Sequence, residues 1–394
     1  MQQTGTSQPS SSPLSRSGSP DAAVLQAVER ALAELRRGAS IVLHDWSGQG
    51  ALVQAAEQAS PEGLAALAGL TGTRPLLLLT ARRAQALGLA GAEPLIASGG
   101  VMALALDDQP ADSIRALADP TAPHPRPPAV QQAPRQAADA PRGLDVAAVE
   151  LTKLARLLPA ALVAPLPGQP VQSPVAWADA RDLMAVSAAN VAEYRFAAAR
   201  GLTPVAEAAV PLEGAEQARI IAFRPDDGGM EHLAIVIGAP TPETPVLLRL
   251  HSECFTGDLL ASLRCDCGDQ LRGAIHAMAA AGAGIVLYLM QEGRGIGLVN
   301  KLRAYTLQDL GADTLDANEQ LGFDADERVY LPAAQMLHHL GFRKVRLLTN
   351  NPQKVAALSR FGIAVEERVG HSFPSNGHNA FYLATKANRF GHLF

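Results

Sequence analysis

Apolar positions along the chain alternate between helical and extended spacing. Val24, Val28, Leu32 and Leu35 recur at helical intervals and predict a helix over 21–35, ending near Gly38. The run Ile41-Val-Leu-His44 predicts a short strand, 61–70 a helix and 76–80 another strand. Seven prolines between Pro120 and Pro141 mark a loop, after which helical patterns resume at 146–157 and 177–200. A second series begins near Pro211. Segments 219–223, 232–237, 245–251, 285–289 and 345–348, rich in Val, Ile and Leu, predict strands. Segments 267–281, 298–310, 331–340 and 352–361 predict helices, the first with Leu271, Ile275 and Met278 on one face. Pro352 suits the first turn of the last helix and Gly362 its end. The alternation is that of an α/β chain, without repeats.

Composition narrows the function classes. A chain of 394 residues exceeds the ~250–300 that one core serves, so two or three domains are expected. With 48% hydrophobic and 18% charged residues it reads as an ordinary soluble chain. A formal charge of -5 argues against nucleic acid or a membrane surface as the main partner. The longest apolar run, 277–290, falls short of the ~18–20 residues a bilayer helix needs. Residues 1–20, rich in Ser, Pro and Gly, lack the apolar stretch of a secretory signal and read as a disordered tail. Cytoplasmic placement is therefore expected. The three cysteines, Cys254, Cys265 and Cys267, crowd into one segment, which does not suit a disulfide framework.

Four motifs carry candidate chemistry, each with a plainer alternative. Three thiolates with an open fourth position suit a zinc ion that activates water, though three buried thiols would also be apolar filler. Glu292-Gly-Arg-Gly-Ile-Gly297 follows a predicted strand and opens a helix. It is either a tight turn or an anion cradle, and Arg294 favours the anion. Thr349-Asn-Asn-Pro-Gln-Lys354 repeats that arrangement, with Asn350 or Asn351 as helix cap and Lys354 inside the helix; it is either an ordinary cap with a solvated lysine or, beside the first loop, part of a polyphosphate site. Asp324-Ala-Asp-Glu-Arg328 is either a solvated turn or a source of a general base or magnesium partner.

Together, His251-Ser-Glu-Cys-Phe-Thr-Gly-Asp258, Ser262-Leu-Arg-Cys-Asp-Cys-Gly268, Gln291-Glu-Gly-Arg-Gly-Ile-Gly-Leu298, Asn300-Lys-Leu-Arg-Ala-Tyr305, Asp313-Thr-Leu-Asp-Ala-Asn318, Leu348-Thr-Asn-Asn-Pro352 and Gly391-His-Leu393 resemble GTP cyclohydrolase II. The likeness covers roughly 207–394. It implies an α/β (α+β, mixed-sheet) fold and hydrolysis of GTP to a 2,5-diamino-6-ribosylamino-pyrimidinone phosphate, formate and pyrophosphate, the first step of riboflavin biosynthesis. On that resemblance Cys254, Cys265 and Cys267 would bind one zinc per subunit. Arg249, Leu250, His251, Ser252, Glu253, Gln270, Glu292, Gly293, Arg294, Thr314, Thr349 and Lys354 would contact GTP, with Mg²⁺ on its phosphates. Tyr305 would serve ring opening, Asp326 would accept a proton and Arg328 would act at the α-phosphorus. A guanidinium, with pKa above ~12, suits charge stabilisation better than nucleophilic attack. Met290 stands where the family commonly has a basic residue.

The first block, through Val42-Leu-His-Asp45, Leu52-Val-Gln-Ala-Ala-Glu57 and Leu87-Gly-Leu89, is similar to 3,4-dihydroxy-2-butanone-4-phosphate synthase. Where that family places an acidic magnesium loop, this chain has Trp46-Ser-Gly-Gln-Gly-Ala51, and its Gly-His-Thr-Glu-Ala motif is here Gly143-Leu-Asp-Val-Ala147. The resemblance therefore implies an inactive first domain over 21–206, holding the proline-rich loop 120–142, before a catalytic domain over 207–394. Each domain is expected to be a mixed sheet with flanking helices, and the chain a homodimer. The alternatives are a bifunctional riboflavin enzyme, a family variant with another nucleotide product, and a non-catalytic GTP sensor.

Overall fold

The leucine run Leu76–Thr80 and the Ala/Val run Ala160–Pro165 lie side by side at the centre of one of two seven-stranded sheets, in a computed structural model of the chain. The structure describes residues 20–106, 108–123, 132–133, 143–168, 170–226, 228–379, 385, 387, 389 and 391. Residues 1–19 of the expected tail, most of the loop 120–142 and all but Gly391 of the closing motif lie outside them.

The first sheet contains β1 (Ile41–His44), β2 (Gly50–Ala55), β3 (Leu76–Thr80), β4 (Val101–Ala105), β5 (Gln132–Ala133), β6 (Ala160–Pro165) and β7 (Ala185–Ser187), in the order β5-β4-β3-β6-β2-β1-β7. All its pairings are antiparallel except β1 with β7. The second contains β8 (Thr203–Ala209), β9 (Ala218–Arg224), β10 (His232–Gly238), β11 (Val246–Ser252), β12 (Ala283–Leu289), β13 (Lys344–Leu348) and β14 (Ala364–Val369). Its order is β14-β13-β11-β12-β10-β9-β8. The β8–β10 side is antiparallel, whereas β12, β11, β13 and β14 run parallel. The α/β, mixed-sheet expectation holds for both domains.

One expected helix is corrected. The segment 177–200 is not one helix: helix Pro174–Asp179 ends in a turn where Asp182 takes φ +54°, β7 follows, and helix Ala188–Arg200 begins only then. Alanine-rich spacing hid the break. The first strand of the second sheet, Thr203–Ala209, spans the expected 206/207 boundary.

Side-chain alternation gives the first sheet two buried faces. Leu78, Ile41 and Leu43 pack with Leu25, Leu32, Leu151 and Val191 from helices Pro20–Arg36, Leu144–Leu154 and Ala188–Arg200. Leu77, Leu79 and Val42 point the other way, into a cluster completed by Ile296, Leu307, Leu321 and Phe323 of the second domain. One core therefore serves both domains. Two polar side chains beside it are matched: the Thr80 hydroxyl donates to Gly322 O at 2.8 Å, and Arg83, 1% exposed, donates to Leu117 O and Gln320 O at 2.7 and 3.0 Å.

Candidate active site

The parallel strands β11, β12 and β13 each release a loop at the same end of the second sheet, the place where open α/β sheets collect ligands. On β11 the pleat sends Leu248 and Leu250 into the core and leaves Arg249 and His251 on the pocket wall. Of the sequence-derived candidates, all line this one pocket except Leu250 and Asp326. Leu250 contributes only its carbonyl, which accepts from Lys354 Nζ at 2.8 Å. Asp326 sits behind Arg328, accepting from its Nε at 2.8 Å.

The three cysteine sulfurs converge. Their Sγ atoms all lie within 4.8 Å of one another, and Cys254 and Cys265 are 3.7 Å apart. Tetrahedral Zn–S bonds of ~2.3 Å place sulfurs ~3.8 Å apart, so the donor set fits zinc in both chemistry and spacing. The loop 255–259 closes around them only because residue 257 is glycine: a Cβ there would meet Cys265 Sγ at 2.8 Å and Cys254 Sγ at 3.0 Å. Lys301 Nζ lies 3.1 Å from Cys254 Sγ, 3.0 Å from Thr256 Oγ1 and 2.9 Å from Glu292 Oε1. Hydrogen bonds from the other two thiols, with Lys301 adding charge, drive the Cys254 thiol far down. Its hydrogen bond with Cys254 in turn pushes Cys265 up to about 11. A bound cation would override this by deprotonating its ligands.

Beneath the cysteine loop, Asp258 ties three parts together. It accepts from Tyr288 OH at 2.8 Å and from the Cys254 N–H at 2.9 Å, and faces His251 Nε2 at 3.0 Å. Burial lowers the His251 pKa despite that carboxylate, so the imidazole is neutral at pH 7.

The glycine loop after β12 is a left-handed turn, with Gly293 at φ +62° and Arg294 at φ +63°. Glu292, 3% exposed, is engaged at both oxygens: Oε2 accepts from the Phe255 N–H at 2.6 Å and Oε1 from Lys301. Six cations, Arg249, Arg264, Arg294, Lys301, Arg328 and Lys354, face two carboxylates, Glu253 and Glu292, across the pocket. That excess of positive charge, in a chain with a net charge of -5, suits a polyanion. Burial lowers Arg249 to about 10, leaving it charged at pH 7. Burial, then the charge of Glu292, raises the Glu253 carboxyl. Burial raises Tyr305 too, so it stays a phenol, 3.5 Å from Thr256 Oγ1. Asp326 feels burial upward, but the hydrogen bonds and charge of Arg328, then the charge of Arg294, leave it below the usual range. Asn351, not Asn350, caps helix Pro352–Arg360, accepting from the Gln353 N–H at 2.9 Å. Asn350 instead donates to His371 O at 2.9 Å.

Sequence reasoning missed Lys301, Arg264, Asn318 and His371, all on the pocket wall. Lys301, buried on a helix, carried a signal: a lone lysine in an apolar stripe. His371, whose Nε2 is 2.8 Å from Gln270 O, carried none.

A family model described as GTP cyclohydrolase II matches residues 203–370. A GTP cyclohydrolase-2 of Azospirillum brasilense is 53% identical over 385 residues, 95% of this chain and 95% of that protein. The riboflavin biosynthesis protein RibBA of Synechocystis is 46% identical over 253 residues, 62% of this chain and 45% of that protein. Among solved structures, RibBX of A. baumannii, a two-domain 3,4-dihydroxy-2-butanone 4-phosphate synthase, aligns over 88% of this chain and 99% of that one. Its 18% identity and TM-score of 0.35 bear on neither fold nor function.

Proposed function

The chain belongs to the GTP cyclohydrolase II family, and on that footing we propose that its pocket opens the imidazole ring of GTP, releasing formate, pyrophosphate and the diaminopyrimidinone nucleotide. The observation that carries the reading is three converging thiol sulfurs in a pocket where six cations outnumber two carboxylates. Zinc on Cys254, Cys265 and Cys267 would supply Lewis acidity and a water-derived nucleophile near neutral pH. Arg249, His251, Ser252, Gln270 and Glu253 would receive the base. Arg294, Thr349, Lys354 and Arg328 would hold the phosphates with Mg²⁺, and Gly293 and Thr314 border the same space. Tyr305, as a phenol, would donate a hydrogen bond beside the metal loop. Arg328, locked as a cation by Asp326, would stabilise charge at the α-phosphorus. Asp326 becomes a usable proton acceptor only when Arg328 turns towards the phosphate. Incubating the purified protein with GTP, Mg²⁺ and zinc should yield formate and pyrophosphate, with product mass and metal content measured on the same sample. Intact GTP beside full zinc occupancy would refute the reading.

We read the first domain as inactive. Its β1–β2 turn keeps one carboxylate, Asp45, whose Oδ1 is spent on the Ser47 and Gln49 N–H groups at 2.8 and 3.0 Å. Dihydroxybutanone phosphate formed from ribulose 5-phosphate would show otherwise. A cytoplasmic homodimer completes the proposal. Leu259, Leu260, Leu263, Val299, Leu302 and Leu310 are exposed, and a second subunit would cover them. Light scattering during gel filtration checks it.

A further inference from the structure

Glu327 lies between the two catalytic candidates Asp326 and Arg328, yet it belongs to neither the pocket nor solvent. Its side chain is 9% exposed, and it is gripped by the first domain. Lys153, from helix Leu144–Leu154, donates to Oε1 at 2.7 Å. Arg195, from helix Ala188–Arg200, donates to the Glu327 carbonyl at 3.0 Å and lies 3.9 Å from Oε2. Glu150 orients Arg195 from behind at 2.9 Å. On its other side the Glu327 N–H donates to Arg294 O at 3.0 Å, so the left-handed glycine loop hangs on the same residue. Gly295 touches the Glu327 backbone closely enough that a Cβ would sit 3.0 Å from its carbonyl.

We propose that Lys153 and Arg195 are positioning residues for the catalytic site, acting through Glu327 to hold Arg328, Asp326 and Arg294 in register. Asp326, Glu327 and Arg328 share one short stretch of backbone, so anchoring Glu327 to the first domain fixes the backbone from which Arg328 reaches the pocket with Asp326 behind it. Two cations on a buried carboxylate make the anchor stiff, because losing one leaves charge uncompensated in a poorly solvated place. The first domain then keeps a role in the reaction without chemistry of its own. This rests on the GTP-hydrolysis reading, and the test separates the two.

Zinc-loaded wild type, Lys153→Met, Lys153→Arg, Glu327→Gln and Glu57→Gln would be compared for kcat, KM, zinc content and hydrogen exchange of the 324–330 amides. Lys153→Met and Glu327→Gln should lower kcat at least ~10-fold with zinc unchanged, and speed exchange across 324–330. Lys153→Arg should restore kcat to within ~3-fold of wild type. Glu57→Gln removes a different interdomain ion pair, with Arg303 at 3.4 Å, and should leave kcat within ~3-fold. The Gln variant retains the acceptor for the Asp324 N–H, at 2.9 Å, and so serves if Lys153→Met fails to fold. Unchanged kcat and exchange in both brace variants, or an equal fall in Glu57→Gln, would overturn the proposal. A wild type that releases no formate defeats the functional reading instead, and the exchange data still decide whether the brace holds the segment.

Discussion

At the residue scale, the site depends on side chains whose protonation is set by burial and neighbours. Cys265→Ser should lose most of its bound zinc and its formate release, read by metal analysis and product assay. One zinc per chain in that variant would remove Cys265 from the ligand set. His232 and His371 are both lowered to about 4, mainly by burial. His232 must be neutral to accept the Met290 N–H at 3.0 Å on Nδ1. Both are therefore uncharged when folded at pH 7, while the unfolded chain takes up protons near pH 6.5. Stability should fall as pH drops from about 6.5 towards 4, because there the unfolded state binds more protons. Urea midpoints at pH 7.5, 6 and 5 check this, and His232→Gln should reduce the slope by roughly one proton. A pH-independent midpoint would contradict it.

At the element scale, the glycine loop carries a conformational demand that packing and strain impose together. Gly295 takes φ +96° with the Glu327 carbonyl against its open face. Gly295→Ala should cost about 1–3 kcal/mol and also cut kcat, since relief of the clash moves Arg294 and Arg328. Gly311 takes φ +102° with open space where a methyl group would go, so Gly311→Ala should show the strain without the loss of turnover. Equal activity in both variants would mean the loop yields freely. The loop was legible because glycine and arginine after a Val/Leu strand is a local signal. So were β10, β11, β12 and β13, whose apolar runs lie in the buried half of their sheet. β8 was not, because every residue in this edge strand is exposed and no alternation marks it. The 177–200 break was also hidden, since a short β7 pairs with β1 far away in sequence.

At the scale of the whole molecule, the motifs in the second half pointed to the residues that line the pocket, but not to what holds them. Lys153, Arg195 and Arg82 resemble solvated charges in the sequence, because their partners Glu327, Asp324 and Glu319 belong to the other domain. The shared core is equally invisible, since Phe323 reads as one apolar residue in a charged turn. In the fold it is 1% exposed and packs in the cluster that backs β3 and β6. A core common to two domains should make them unfold together. Trp177, partly buried against that cluster, reports on the first domain, and thiol reactivity of the three cysteines reports on the second. In urea the two probes should give one midpoint. Phe323→Ala, at a cost of about 3–5 kcal/mol, should lower both midpoints together although the residue lies in the second domain. If only the thiol transition moved, the domains would be thermodynamically separate, and the first could not act as a rigid support for the second.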